Sequence, residues 1–306
     1  MTDYSYIGVG KVSIRVAGSS APLRHIGNVS ALSFDVTEDV KELKDYTKAG
    51  GGTYNEVRRV SSVEASMTLH DLSPENLGVV LFGDVNAIVA GSVSNEAHTI
   101  YLGGLVKTTY PINTASSVTV TAGDDAVTRA NSTAYNLGDY IVPATPNDYY
   151  YKVTTAGTTA GSPPTFGTTV GGTTTDGTAT LTCMGKTTLV ANTDYSVTAG
   201  GIYIESDAAA TDGEAIEVDY TKAAGSEVEA LLNSAQEYEI VFDGLNEARS
   251  GKAVIVHVFR QKIGAAQNLG LIGEDYAALE VSGKVLKDTT KNGTTVSQYF
   301  KVQVVA

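Results

Sequence analysis

One cysteine, no tryptophan, four histidines and seven prolines are spread through 306 residues, and each scarcity removes a class of explanation. Cys183 has no partner for an internal disulfide. His25, His70, His98 and His257 are too scattered to form with it any familiar metal-ligand spacing. Cys183 therefore reads as a structural thiol. Basic side chains are also outnumbered: 21 Lys and Arg against 34 Asp and Glu leave a net charge of −13, which repels phosphate backbones and acidic membrane faces. No apolar run approaches the ~20 residues of a spanning helix. The start, Met1-Thr2-Asp3-Tyr4-Ser5-Tyr6, lacks the basic segment and apolar core of an export signal, so the expectation is a chain that folds in a cytoplasm.

What is present favours β-structure. Hydrophobic residues make up 42% and charged residues 18%, a globular balance for a chain long enough to bury a large core. Gly, Thr, Val and Tyr are frequent, and helix formers never gather into a long stretch with 3.6-residue spacing. Ala31 to Gly83 is the most informative segment. Leu32, Phe34 and Val36 alternate as a half-buried strand requires, and Val63, Ala65, Met67 and Leu69 return in the same pattern. Between them Glu38 to Arg59 is too polar to bury against its own domain, which predicts a long arm around Gly50-Gly51-Gly52 whose cover comes from outside the subunit. After His70-Asp71, Ser73 offers a helix N-cap, Pro74 fits the first turn and Glu75 suits the positive end of the dipole. Gly83 is the expected left-handed stop of one short helix with Leu77, Val80 and Leu81 on its apolar face.

Further strand patterns fall at Tyr4 to Val16, His25 to Val36, Thr108 to Thr121, Glu237 to Phe242, Lys252 to Phe259, Tyr276 to Val285 and Ser297 to Val305, with a helical turn expected at Ser226 to Leu232. Composition shifts near Gly123: as far as Lys186 the chain is rich in Gly, Thr and Tyr, holds Pro143, Pro146, Pro163 and Pro164, and is poor in Leu and Ile. The expected organisation is a discontinuous body, residues 1–122 and 187–306, interrupted by a small all-β domain at 123–186. Many strands, short connections and one helix point to a β-sandwich or barrel-like body.

Chemical motifs are sparse. Gly8-Val9-Gly10-Lys11 resembles part of a phosphate loop, but Ser5 stands where that loop needs glycine and Val12 where it needs Ser or Thr. Asn28-Val29-Ser30, Asn131-Ser132-Thr133 and Asn292-Gly293-Thr294 are glycosylation sequons in form only. HExxH, GxSxG and CxxC do not occur. Asp124-Asp125, Glu38-Asp39 and the pair Glu237 and Glu239 have no histidine nearby in sequence to orient an acid and base, so no catalytic residue, metal or cofactor is assigned and no enzyme is expected.

The chain resembles the major tail proteins that build the tail tube of long-tailed bacteriophages. The likeness rests on Phe34-Asp35-Val36-Thr37-Glu38-Asp39-Val40-Lys41-Glu42-Leu43-Lys44-Asp45-Tyr46 with the glycines, Tyr54 and Arg58-Arg59 that follow. It continues through Leu72-Ser73-Pro74-Glu75-Asn76-Leu77, Leu81-Phe82-Gly83, Asn192-Thr193-Asp194-Tyr195, Gly200-Gly201-Ile202, Phe242-Asp243-Gly244-Leu245-Asn246 and Ile272-Gly273-Glu274-Asp275-Tyr276. These motifs are short, and their order carries more weight than any one of them. The interrupting segment is similar to small β-modules of phage virion proteins related to carbohydrate-binding modules. That likeness rests on Tyr135 to Pro143, Tyr149-Tyr150-Tyr151-Lys152-Val153 and Thr175 to Leu181, with Leu181 where those modules commonly carry Trp.

The resemblance implies a structural virion protein: hexameric rings stacked by self-assembly into a hollow tube for genome ejection, put together in the host cytoplasm and residing in the virion tail. Its partners are then copies of itself, tape measure, tail terminator and distal tail proteins, and transiently duplex DNA in the lumen without specific binding; no membrane is involved. Under that reading Asp45, Tyr46, Lys48, Gly50, Gly51, Gly52, Tyr54, Glu56, Arg58 and Arg59 make the inter-ring contact, with the two arginines forking to carboxylates on a neighbour. Asp35, Glu64 and Glu239 are candidate lumen acids, and Tyr149, Tyr150 and Tyr151 candidate glycan contacts. The alternative reading is a glycan-binding surface adhesin or decoration protein built on β-sandwiches.

Overall fold

A computed structural model of the chain describes residues 4–234, 236–266 and 268–305. The fold is mainly β with several sheets and one short α-helix, and it divides into two compact units: residues 1–86 with 226–306, and residues 87–225. No helix among the described residues is long and apolar enough to cross a membrane.

The first unit is built on an eight-stranded antiparallel sheet. Its spatial order is Arg24–His25, Gly8–Val16, Glu237–Asn246, Lys252–Ile263, Leu279–Val285, Thr53–Leu69 and Val29–Lys44, with Phe300–Val304 beside the first half of Lys252–Ile263. Alternation selects the buried face: Val63, Ala65, Met67 and Leu69 lie in one core with Val12, Ile14, Tyr238, Ile240, Val281 and Val285. Each such aliphatic side chain contributes about 1.5–3 kcal/mol by leaving water. The helix, Pro74–Val80, adds Val80 to that core.

Ser73 caps the helix as expected, its Oγ accepting the Asn76 amide at 3.3 Å. Asn76 is itself buried: its side-chain amide donates to the carbonyls of Ile26 and Asp71, both at 2.8 Å, and its oxygen accepts from Arg24. The expected stop at Gly83 is corrected, since the left-handed residue after the helix is Phe82 at φ 51°. Gly83 is required for a different reason, because a Cβ there would stand 2.5 Å from the carbonyl oxygen of Glu229. The helical turn expected at Ser226 to Leu232 is also corrected: Gly225–Glu229 is a strand paired with Asp84–Ile88.

The second unit holds a four-stranded sheet (Thr188–Leu189, Thr119–Ala122, Ala215–Lys222, Gly91–Thr99), a three-stranded sheet (Tyr195–Thr198, Gly201–Ile204, Leu105–Lys107) and a five-stranded sheet. The last runs Thr173–Asp176, Ala179–Lys186, Tyr149–Thr155, Tyr140–Val142, Val127–Thr128. Two cores serve these sheets. Val120, Ile202, Ile204, Ile216 and Val218 form one, and Ile141, Tyr151, Val153, Leu181 and Cys183 the other. The chain divides into its two compact units at 86/87 and 225/226, and the expected segment 123–186 lies inside the second, where it carries the core of Ile141, Tyr151, Val153, Leu181 and Cys183. Tyr150 and Met184, inside the expected insertion, pack in the same core as Val120 and Ile204 outside it. Gly123 lies on the Tyr150 ring so closely that a Cβ would stand 2.6 Å away.

Candidate assembly surface

Val29–Lys44 and Thr53–Leu69 form one continuous antiparallel hairpin, so the polar arm is strand rather than loop almost to its tip. Leu279–Val285 borders the returning strand only from Glu64 to Leu69, and no strand among the described ones borders Val29–Lys44 on its outer side. From Val36 and Val63 outward the hairpin stands as two strands alone. The shorter strand runs eight residues beyond Val36, to Lys44, and at about 3.3 Å each projects about 26 Å before the turn.

The tip is locally determined. Thr47 donates from its amide and its hydroxyl to Asp45 Oδ1, at 2.8 and 2.6 Å, and these bonds, the hydroxyl first, hold the Asp45 carboxyl below its ordinary range. Gly50, Gly51 and Gly52 have φ of 111°, 65° and 143°, with nothing within 4 Å of a notional Cβ, so they serve backbone conformation and not close packing. Tyr46, Lys48 and Tyr54 around them are exposed.

The register gives the arm two dissimilar faces. An irregularity between Thr37 and Glu38 shifts the pairing, so Glu38, Val40, Glu42, Glu56, Arg58 and Val60 share one face. Their charges are satisfied within the hairpin: Arg58 donates to Glu56 and lies 3.4 Å from Glu38, and Lys44 donates to Glu42. Hydrogen bonding to Glu56 raises the Arg58 pKa, and hydrogen bonding from Lys44 lowers that of Glu42. Arg58, one of the residues expected at the inter-ring contact, is thus engaged by carboxylates of its own strand and of the facing one while its side chain stays exposed. Asp39, Lys41, Leu43, Asn55, Val57 and Arg59 share the opposite face, where Asp39 stands across from Arg59 and Lys41 across from Val57. Neither Lys41 nor Arg59 has an ion-pair partner within 4.0 Å among the described residues.

The candidate lumen acids differ in how free they are. Asp35 and Glu64 are exposed directly across from each other, and Glu64 is flanked on its other side by Lys284. Glu239 is held by Arg15 Nε at 2.7 Å and His257 Nε2 at 2.6 Å. Burial works against its charge, yet those two partners hold its carboxyl below the ordinary range. Unlike Asp35, Glu239 is already compensated.

The tyrosine triplet does not form a sugar platform. Tyr150 and Tyr151 are 1% and 0% exposed. Only Tyr149 keeps a partly open ring. Asp176 and Asp194, both inside motifs quoted above, are buried in polar clusters whose partners those motifs do not show. Arg129 Nε and a terminal nitrogen grip Asp176 at 2.6 and 2.9 Å, while the second also donates to the carbonyls of Ala160 and Ser162. Asp194 accepts from Lys186 Nζ at 2.8 Å and from the amides of Val190 and Ala209.

Outside the arm the first unit leaves other apolar side chains uncovered: Leu231 and Leu232 after the strand Gly225–Glu229, and Leu271, Ile272 and Tyr276 in the segment before Leu279. Val9, Leu32, Phe34, Phe242, Val256 and Val302 line an open cavity of about 660 Å³ in the same unit. The described residues contain no group of three or more His, Cys, Asp or Glu arranged to hold a metal.

One family model matches residues 5–161 and 150–303, and its description reads "Protein of unknown function UCP028589". No curated protein matches the chain.

Proposed function

We propose that this chain, which belongs to the family of proteins of unknown function UCP028589, is a structural subunit that assembles with its own copies into stacked rings forming the hollow tail tube of a long-tailed bacteriophage. The observation that carries this reading is the two-stranded arm with its unpaired edges. It joins the uncovered Leu231, Leu232, Leu271, Ile272 and Tyr276 of the same unit. A free strand edge is a template for another chain, and exposed apolar groups on this scale mark protein contacts. Closure into a ring removes the edges, and head-to-tail repetition of a heterologous contact extends the rings along an axis.

In this assembly the tail-tube-like body is the first unit, whose sheet continues into a neighbour's. Rings of six follow from the likeness to tail tube proteins. A net charge of −13 per chain supports a passage that duplex DNA crosses without adhering, with Asp35 the least compensated of the candidate lumen acids. The burial of Tyr150 and Tyr151 leaves only Tyr149 of the triplet partly open, which favours this reading over that of a glycan-binding adhesin.

Electron microscopy of the purified protein tests the proposal, with stacked rings or hollow tubes as the expected result. A protein that stays monomeric at high concentration, with other tail-assembly proteins present, overturns it.

A further inference from the structure

The arm is electrically neutral as a whole. Between Glu38 and Arg59 it carries five acids and five bases, so the entire excess of −13 resides on the rest of the chain. Its two faces divide that balance unequally. On one, Glu38, Glu42 and Glu56 are bridged by Arg58 and Lys44, three acids to two bases. On the other, Lys41 and Arg59 outnumber Asp39 and flank the exposed aliphatic chains of Leu43 and Val57. Lys41 faces Val57 and Arg59 lies two residues further along, a diagonal placement of about 7–8 Å.

The first unit carries a surface of opposite character. Glu227 and Glu229 are both exposed on the strand Gly225–Glu229, and alternation puts them on one side, about 7 Å apart along the chain. The neighbouring Glu227 carboxylate raises the pKa of Glu229, since a like charge nearby disfavours ionisation. Leu231 and Leu232 follow after Ala230, both largely exposed. Two cations beside two aliphatic side chains on the arm thus match two carboxylates beside two leucines in charge, spacing and apolar content.

Resting on the assembly reading above, we propose that the face of the arm bearing Lys41, Leu43, Val57 and Arg59 docks on Glu227, Glu229, Leu231 and Leu232 of a second copy. Arg59 pairs across the contact, while Arg58 shapes the hairpin. Charge attraction sets the register and the apolar groups supply the buried area.

Charge exchange in the full chain tests the contact, read by pelleting and electron microscopy, with thermal melts checking the fold. Lys41→Glu with Arg59→Glu, and separately Glu227→Lys with Glu229→Lys, are each expected to raise the critical concentration for polymer at least about tenfold. All four substitutions together restore it, and Arg58→Gln leaves it within about twofold. A chain with Arg59→Cys and Glu229→Cys, in which Cys183 is buried, should form interchain disulfide ladders on mild oxidation of polymer. Polymer from the wild-type chain with neither rescue nor ladders overturns this contact alone; a wild-type chain that never polymerises overturns the assembly reading with it.

Discussion

Tyr150 and Tyr151 are neighbours in the chain but belong to different cores. The Tyr150 ring packs with Val120 and Ile204, and the Tyr151 ring with Val153, Leu181 and Phe166. A strand turns successive side chains to opposite faces, so Tyr149–Thr155 joins two apolar layers. Their hydroxyls differ as sharply. Tyr151 accepts from Asn147 at 2.7 Å and donates to the Gly167 carbonyl at 3.0 Å, whereas the Tyr150 hydroxyl is buried with no partner.

Substitution to phenylalanine should therefore separate the two. Tyr151→Phe is expected to cost about 1–2 kcal/mol by orphaning Asn147 and Gly167, and Tyr150→Phe to leave stability unchanged or raise it by about 1 kcal/mol. Either residue changed to alanine should cost about 3–5 kcal/mol. Urea denaturation measures all four variants, and equal losses in the two phenylalanine variants would contradict the hydrogen-bond assignment.

The buried pair Arg129 and Asp176 predicts an acid limit on the second unit. Burial pushes the Asp176 carboxyl upward, but Arg129 and the Ala160 amide outweigh it and hold the pKa below the ordinary value. A carboxyl whose folded pKa is depressed stabilises the fold above its unfolded pKa, about 3.9, and loses that contribution as pH falls through the folded value. Asp176→Ala, which leaves the Arg129 charge buried and unpaired, should cost about 3–5 kcal/mol at neutral pH. The difference from wild type should shrink below about pH 4. Denaturation curves across pH test this, and a constant difference would show that the pair contributes nothing through ionisation.

Excising chain segments tests where the units divide. Removing 124–185 takes Tyr150 and Met184 out of the core that Val120, Ile202 and Ile216 retain, so the remaining chain should expose apolar surface and aggregate. Joining Asn86 to Ser226 through a short linker removes the second unit whole and leaves the core of Val12, Met67, Ile240 and Val281 complete. The second deletion should give a soluble protein with a cooperative melt and the first should not; the opposite result would favour the boundaries at 123 and 186 that composition suggests.

Several features of the first unit were legible because alternation reports one buried face. Val63 to Leu69, the Ser73 cap and the tip glycines lie where the sequence put them. The quoted motifs also have physical contents that their letters hide. In Phe242-Asp243-Gly244-Leu245-Asn246 the Gly244 backbone faces Gly10 under the Phe242 ring, with 2.4 Å from a Cβ at Gly10 to Gly244 Cα. The glycines of the false phosphate loop thus serve close packing. Gly91–Thr99 and Ala215–Lys222, paired with each other, had gone unassigned, since polar residues interrupt the first. The division of the arm into two faces was beyond reach, because a one-residue irregularity at Glu38 reverses which residues share a side. Arg129 and Asp176 lie 47 positions apart, too far for any local pattern to join them.

Across the outer face of the large sheet, Asp35, Glu64, Lys284, Lys262 and Glu237 stand in one cross-strand row, each directly opposite the next. The acid pair at one end is offset by Lys284 beside Glu64, and the cation pair Lys284 and Lys262 by Glu237 beyond it. Asp35→Lys sets a cation opposite Glu64 at the end of the row and alters no other opposed pair in it. With a repulsive pair exchanged for an attractive one, each worth about 0.2–1 kcal/mol, the variant should gain about 1 kcal/mol at low salt. Raising salt to about 1 M shortens the screening length to about 3 Å, less than the spacing of opposed side chains, so most of that gain should disappear. Urea midpoints at low and high salt decide it: a gain that persists at high salt would mean that the longer lysine stem packs against its neighbours, and no gain at either would mean that water alone already screens the row.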